Sequence, residues 1–210
     1  MPLLAKSERP AAPRAKRRSY HLDDADPVMR RHAVQDLDGS AGAVADLAPL
    51  LAGETDHAVR SAMFTVLAGI ATPEALDAIL PCLQSEDAEL RNAAVEAAQQ
   101  MPDAVANRIE ALLADPDPDQ RLFALDILQD LAHPHAPDWI APLLSRDTDP
   151  NVVGTAIDRL AECGRPDMVD AIRAAAARFE DCTYIRFACD FACERLAGPP
   201  DQPEGPLDAP

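Results

Sequence analysis

One twelve-residue pattern occurs six times along this chain, and successive copies begin 30 to 33 residues apart. Within each copy the fourth, seventh, eighth, eleventh and twelfth places are mostly apolar or small, which is the spacing of one buried helix face. Repeats of this length are typical of stacked helical proteins. The copies read DPVMRRHAVQDL from Asp26, DHAVRSAMFTVL from Asp56, DAELRNAAVEAA from Asp87, DPDQRLFALDIL from Asp117, DPNVVGTAIDRL from Asp149 and CTYIRFACDFAC from Cys182.

The first place of the pattern is Asp in five of the six copies. An Asp side chain there can accept a hydrogen bond from a free backbone N–H, and its charge suits the positive end of the helix dipole, so it marks a helix start. An arginine column follows four places later, where each side chain can pair with an acid along its own helix or reach the next repeat. Only Val153 breaks this column, whose members are Arg30, Arg60, Arg91, Arg121 and Arg186.

A second apolar segment lies between successive copies and predicts a second helix in each repeat. One helical hairpin cannot bury both of its apolar faces, but stacked hairpins can. The sequence therefore predicts an all-α fold, an α-solenoid of about six helical hairpins. The segments are AVADLAPLL ending at Leu51, ALDAILPCL ending at Leu83, VANRIEALL ending at Leu113, APDWIAPLL ending at Leu144 and, with a looser fit, MVDAIRAAA from Met168 to Ala176.

Composition agrees with this fold class and limits the cellular setting. Hydrophobic residues make up 48% of the chain but aromatic ones only 4%. Ala and Leu carry most of the apolar content and are strong helix formers, so a sizeable sheet is not expected. No run approaches the roughly 18 apolar residues of a membrane helix, and residues 1–20 lack the apolar block of a secretory signal. Because the five cysteines do not form the framework of a small secreted domain, we expect a cytoplasmic protein.

Charge divides the chain into a basic start and an acidic body. Residues 1–20 hold six cationic side chains against Glu8, a charge of +5, which leaves −22 for residues 21–210 out of the formal −17. An acidic body repels phosphate backbones, so nucleic-acid binding is not expected. We predict a basic disordered tail at 1–20, a repeat domain at 21–197 and a Pro-rich disordered tail at 198–210. The basic tail is interpreted as a leader, or else as an arm for an anionic partner or membrane, or as a segment that folds back on the body.

The Asp-Pro starts, the Arg column and the apolar second segments resemble HEAT repeats, in particular the short bacterial type called phycobilisome-lyase-like repeats. The resemblance extends from Leu22 to Leu196. It implies an α-α superhelix. Members of this class include phycobilin lyases, but also adaptors and regulators of other systems, so the resemblance implies a fold more than an activity.

The clustered cysteines are the first candidates for chemistry. Cys182, Cys189 and Cys193 lie seven and four residues apart, and thiolates on one helix face can hold zinc. In the six-copy alignment, however, Cys189 and Cys193 fall in columns that otherwise hold Ala, Met or Leu. A free cysteine at such a place packs as a small hydrophobe, so we expect core packing here and at Cys82.

His133 and His135 form the only close histidine pair, and Asp130 and Asp138 could add oxygen ligands for a metal. The adjacent prolines place the pair in the turn between the two helices of the fourth repeat, so an exposed turn is expected instead. No histidine precedes a Glu, as it does in HEAT-like hydroxylases of the deoxyhypusine type.

Other catalytic signatures give no better support for an enzyme. The chain has no Gly-rich phosphate loop and no GxSxG elbow. We assign no catalytic, cofactor-binding or metal-binding residue and expect no cofactor and no enzymatic activity. Two alternatives stay open: a lyase-like or cofactor- or metal-binding enzyme, and a nucleic-acid binder like the HEAT-like DNA glycosylases, which needs a basic groove.

The second helices offer the most interesting surface, because in HEAT-like stacks they usually line the concave side. The residues that point away from the core are mostly acidic and include the only tryptophan of the chain. Such a stripe suits a basic protein or peptide partner, with carboxylates that steer it and an aromatic anchor. The alternatives are a solvated helix face and, for the tryptophan, packing between repeats. The candidate partner-binding residues are Asp46, Asp77, Asn107, Arg108, Asp138, Trp139 and Asp170.

The sixth copy differs from the others at its ninth place. Five copies are apolar there, but the sixth has Asp190, which would be costly in a buried interface. A terminal repeat needs a polar outer side, so Asp190 predicts that the stack ends at this repeat.

Overall fold

The computed structural model describes residues 21–37, 39 and 41–197, so the two predicted tails lie outside the described residues. Within the described residues the chain is helical and contains no strand. The α-helices are α1 (Pro27–Gln35), α2 (Ala41–Leu51), α3 (His57–Ile70), α4 (Pro73–Ile79), α5 (Ala88–Gln99), α6 (Pro102–Ala106), α7 (Ile109–Leu112), α8 (Pro118–Asp130), α9 (Ala136–Ile140), α10 (Leu143–Arg146), α11 (Pro150–Cys163), α12 (Val169–Ala177) and α13 (Thr183–Ala197).

Two layers of helices build the stack. The first helices, α1, α3, α5, α8, α11 and α13, each contact the next one in chain order. The second-helix segments lie in the other layer, where α2 contacts α4, α4 contacts α6 and α10 contacts α12. The apolar faces of both layers meet in one continuous core, which confirms the all-α solenoid. Five hairpins are complete, and α13 is followed by no second helix in the part of the chain that is described.

The first helices begin where the repeat pattern predicts them, one residue after the first place of each copy. Five of these helices have an Asp N-cap with an extended backbone, and each cap carboxylate accepts a hydrogen bond from a backbone N–H of the first turn. The predicted capping role is therefore confirmed. The caps are Asp26, Asp56, Asp87, Asp117 and Asp149.

The second layer is less regular than the single helix per repeat that the sequence predicts. After α4 the chain tightens into a 3-10 helix, Leu80–Gln84, and α9 is separated from α10 at Pro142. Proline lacks the backbone N–H of the i to i−4 ladder, which accounts for the breaks at Pro81 and Pro142. Pro49 is nevertheless accommodated inside α2, and the break between α6 and α7 contains no proline.

Candidate partner-binding surface

The joints between successive first helices are held by the arginine column. Arg121 forms a two-point ion pair with Asp147 of the next repeat, with Nε–Oδ2 and Nη2–Oδ1 distances of 2.7 and 2.9 Å. Arg30 pairs with Glu54 in the same way, at 2.8 and 2.7 Å. Together with Arg60, which pairs with Asp87, these arginines reach the next repeat, the second of the two predicted alternatives. The column is not uniform, since Arg91 donates to the backbone oxygen of Ser85 and Arg186 donates to Thr183 on its own helix.

A second polar column precedes the Asp caps and was not predicted from the sequence. Two residues before each Asp cap, an acid or serine accepts a hydrogen bond from the backbone N–H of the cap, over 2.8 to 3.1 Å. The signal in the sequence is an acid or serine followed, after one residue, by the cap Asp. The residues of this column are Asp24, Glu54, Ser85, Asp115 and Asp147.

Asp147 is the buried centre of the joint between the fourth and fifth repeats, since only 5% of it is exposed. Burial opposes its ionisation, but hydrogen bonds from Arg121 and from the backbone outweigh this and hold its pKa below the ordinary value. Arg178 donates to the backbone carbonyl oxygens of Leu144 and Asp147. This joint is therefore a closed polar network with little room for a ligand.

Asp77 and Arg108 are brought together on the second layer, although they were predicted only as members of one stripe. The guanidinium Nε and Nη2 of Arg108 lie 2.9 Å from Oδ1 and Oδ2 of Asp77, and both side chains are half-exposed. The hydrogen bonds that Arg108 donates to Asp77 raise the pKa of Arg108. This ion pair links the second and third repeats at the surface.

Asp138 is also paired, with an arginine that was not predicted. Nη2 of Arg165 lies 2.6 Å from Oδ1 of Asp138, and Nδ1 of His135 lies 3.5 Å from Oδ2. The hydrogen bond from Arg165 is the main reason why the pKa of Asp138 lies below its ordinary value. Arg165 belongs to the turn that follows α11, so no helical periodicity pointed to it.

Trp139 lies beside this pair and is partly buried against the core. Its ring stacks on His133 with a centroid distance of 4.4 Å, and His135 lies 6.3 Å away. Both histidines lie in the turn between α8 and α9, as predicted. The arrangement gives the fourth repeat an aromatic patch next to the carboxylate of Asp138.

The other predicted residues are separate from these pairs. Asp46 is exposed on α2, and Asn107 is exposed, with its side-chain amide donating to the backbone oxygen of Asp103 at 2.8 Å. Asp170 is the most open member, since 97% of its side chain is exposed, and Arg173 lies 3.7 Å from it. The surface therefore has open carboxylates on α2 and α12, with arginine-paired carboxylates and the aromatic patch between them.

The residues once considered for metal binding do not gather into a site in the described part of the chain. No group of three or more His, Cys, Asp or Glu side chains there is arranged to hold a metal ion. Cys82 and Cys189 are buried in the core, which confirms their predicted packing, and Cys193 lies partly buried with its sulfur 3.9 Å from that of Cys189. Among the described helices, none has the length and apolar character needed to cross a bilayer.

Comparison with known families agrees with the repeat geometry. A family model for HEAT repeats matches residues 16–99 and 105–188, well over half of the chain. The chain belongs to the HEAT-repeat family. No functionally curated protein matches this HEAT-repeat chain.

Among solved structures, the HEAT-repeat chain is similar to two engineered proteins. One is an engineered protein from a structural genomics consortium, 21% identical, with 84% of this chain and 93% of that chain covered and a TM-score of 0.40. The other is a designed armadillo repeat protein, 17% identical, with 83% and 96% covered and a TM-score of 0.41.

Proposed function

We propose that this HEAT-repeat solenoid is a non-enzymatic cytoplasmic adaptor that binds a basic segment of a protein partner across its second-helix layer. The proposal rests on one observation. The second-helix layer carries exposed carboxylates on α2, α4, α9 and α12, and α9 also carries the partly buried Trp139, which stacks on His133. HEAT-repeat stacks present such layers as extended binding surfaces.

The arginines already on this surface indicate how a basic partner would bind. Arg108 engages both oxygens of Asp77, and Arg165 engages Asp138. A guanidinium from a partner has the same fork geometry and can replace or join these side chains. Because the pairs are exposed, opening them costs little, and Asp46 and Asp170 are exposed as well, the latter with Arg173 only 3.7 Å away.

The charge of the whole body favours the same partner. Residues 21–210 carry −22, which attracts cationic segments over distance and accelerates their encounter with the surface. Trp139 then supplies apolar contact area beside the carboxylates. We therefore expect binding to weaken steeply with added salt, since the Debye length shortens from about 10 Å at 0.1 M to about 3 Å at 1 M.

Trp139 is the only tryptophan of the chain, so its fluorescence reports directly on this surface. A tryptophan-free peptide rich in Lys and Arg should change the Trp139 emission in a saturable and salt-sensitive way. The same peptide with Glu in place of its cations should not. Saturation by both peptides, or by neither, would contradict the proposal.

Two variants that each lose three carboxylates distinguish the contribution of this surface to peptide binding from the contribution of the net charge. The variant D77N/D138N/D170N removes three carboxylates from the second layer, and E89Q/E96Q/D119N removes three exposed carboxylates from first helices. We expect the first variant to weaken cationic-peptide binding about tenfold more than the second, a difference of about 1.4 kcal/mol. Equal weakening would mean that net charge, and not this surface, recruits the peptide.

The non-enzymatic part of the proposal has its own test. Purified protein should show no visible absorbance and no stoichiometric metal by elemental analysis. A bound chromophore or one metal per chain would contradict a plain adaptor and favour the lyase-like or metal-dependent alternative.

A further inference from the structure

Exposed large hydrophobic side chains are confined to the first and last helices of the described stack. Two of these five side chains lie on α1 and three lie on α13. They are Val28, Met29, Tyr184, Phe187 and Phe191, exposed by 53, 45, 43, 71 and 48%.

The aromatic side chains of α13 are a departure from the repeat pattern. Phe191 occupies the tenth place, which is polar in every other copy of the pattern. The outer side of the sixth repeat is therefore only partly polar, with Asp190 exposed as predicted but flanked by Phe187 and Phe191. The polar residues at the tenth place of the other copies are Gln35, Thr65, Glu96, Asp126 and Asp158.

The joint between α11 and α13 shows which places meet when one first helix stacks on the next. The hydroxyl of Tyr184, at the third place, donates to Asp158 at the tenth place of the preceding copy over 2.6 Å. Its ring covers Gly154 at the sixth place, where an added Cβ would collide with Cε1 of Tyr184. At this joint the sixth and tenth places of α11 therefore flank the third place of α13.

The two ends of the stack carry apolar side chains at the places that correspond to those in contact at the α11–α13 joint. Phe187 and Phe191 occupy the sixth and tenth places of α13, and Val28 occupies the third place of α1. Met29, at the fourth place, is also exposed, whereas Val59, at the same place of α3, is fully buried in the core. At the α1 end Met29 is therefore left exposed at a place that is buried in α3, and Val28 adds apolar surface beside it.

The arginine column gives a second match, seen at two of the five joints between the described first helices. Arg30 and Arg121 each pair with the acid two residues before the next cap, Glu54 and Asp147 respectively. In α13 the corresponding arginine is Arg186. The corresponding acid on the α1 end is Asp24, two residues before its cap.

We propose that the α13 end of one copy of this chain binds the α1 end of a second copy, in a head-to-tail contact that continues the repeat. Val28 then lies between Phe187 and Phe191, and Arg186 pairs with Asp24. Such a contact is heterologous, so it leads to open chains or closed rings and not to a two-fold dimer.

Asp190 keeps this contact weaker than an internal joint. It stands at the ninth place, where an internal joint such as the one at Leu125 or Ile157 buries an apolar side chain. Bringing a carboxylate to that place costs free energy unless it is paired. We therefore expect reversible association that depends on concentration.

Sedimentation velocity of the full chain over a wide concentration range tests this contact. V28E and F187E should each weaken self-association about thirtyfold or more, as loss of a central apolar contact does. N92E places the same charge at the sixth place of α5, which is exposed but lies in the middle of the stack. This variant should leave self-association unchanged. A wild-type chain that stays monomeric at all concentrations, or N92E acting like F187E, would overturn the proposal. Circular dichroism checks that each variant is folded.

Mixing the two variants distinguishes head-to-tail contact from other modes. V28E retains an intact α13 end and F187E an intact α1 end, so each alone should be monomeric while the mixture forms one-to-one dimers that grow no further. Association lost in F187E but unchanged in V28E would indicate contact between two α13 ends and overturn the proposal. So would association that persists in both single variants.

The ion pair gives a charge-swap test. D24R and R186D should each weaken association about fivefold, the effect of an exposed pair worth up to about 1 kcal/mol. A mixture of D24R with R186D should recover it, because each chain then offers the complement of the other. If the mixture recovers nothing, Arg186 and Asp24 do not meet.

Discussion

In the described residues the first layer of this solenoid has six helices and the second layer has five helical segments, and only the first layer repeats its chemistry. Five of the six first helices have an Asp cap with an acid or serine two residues before it, and three arginines of the column pair with an acid of the next repeat. The second-helix segments vary in length, contain proline at several places and carry different side chains on their exposed faces. We infer that the first layer maintains the stack and that the second layer is free to vary with a partner.

Burial is the physical reason for this division. Asp147 lies in a nearly closed joint, where an unpaired charge is costly, so its partners are fixed. Asp77 lies at the surface, where water replaces a lost partner at little cost. The same pairing of Asp with Arg therefore has a structural role in one layer and an exchangeable one in the other.

The largest effect should come from removing the buried acid. D147A leaves Arg121 without its carboxylate and the cap N–H of Asp149 without an acceptor, so we expect a loss of about 3 kcal/mol in the free energy of unfolding. D77A, the matched change on the second layer, should leave stability nearly unchanged. Urea denaturation of both variants measures the difference, and similar losses would remove the distinction between the layers.

Substitution of Ala for two of the glycines should change the stability of the protein in opposite directions. At Gly154 an added Cβ collides with the ring of Tyr184, so G154A should cost about 2 kcal/mol through a displaced ring. At Gly69, in α3, nothing lies within 4 Å of the added atom, so G69A should stabilise the helix by about 0.5 to 1 kcal/mol. Thermal unfolding of both variants tests the close approach of α11 and α13, and G154A as stable as wild type would disprove it.

Removal of a helix cap should have a smaller effect. Asp117 accepts a hydrogen bond from the backbone N–H of Asp119 over 3.0 Å, and D117A should lower the free energy of unfolding by about 1 kcal/mol. D117N keeps an acceptor at the same position and should recover most of the loss. Failure of D117N to recover it would mean that the charge, and not the hydrogen bond, matters.

Acid should weaken the first layer through its joint carboxylates. The pKa values of Glu54 and Asp147 are lowered in the folded state, the first mainly by Arg30 and the second by Arg121 despite its burial. At pH near 4 the unfolded chain therefore binds more protons, and stability falls as the pH drops through the ordinary carboxyl range towards the lowered values. The fall between pH 5 and pH 3 should be smaller in D147N than in wild type, and an unchanged fall would contradict this role of Asp147.

The sequence allowed the first layer to be predicted almost completely, because its starts, caps and buried faces recur in register. The burial of Cys82 and Cys189 followed from the same columns. The Arg165–Asp138 pair was not predictable in this way, since Arg165 lies in a turn without periodicity. The breaks at Pro81 and Pro142 were also missed, because apolar spacing persists through a segment whose backbone hydrogen bonds are interrupted.

The candidate surface was predicted as a set of residues but not as a geometry. Alignment of the second-helix segments places Asp77 and Arg108 on neighbouring repeats, but it does not show that the two side chains form an ion pair. Tertiary distances decide how closely a carboxylate is paired, since Asp138 lies 2.6 Å from Arg165 whereas Asp170 is almost fully exposed and lies 3.7 Å from Arg173. Whether these residues bind a partner remains the proposal that the Trp139 titration tests.

Double-mutant cycles at two ion pairs test the division between the layers most directly. For Arg121 and Asp147 we expect a coupling free energy of about 2 kcal/mol or more that changes little with salt, because Asp147 is buried. For Arg108 and Asp77 we expect a much weaker coupling that salt suppresses, because both side chains are half-exposed. Equal couplings at the two pairs, with equal sensitivity to salt, would contradict the separate roles of the layers.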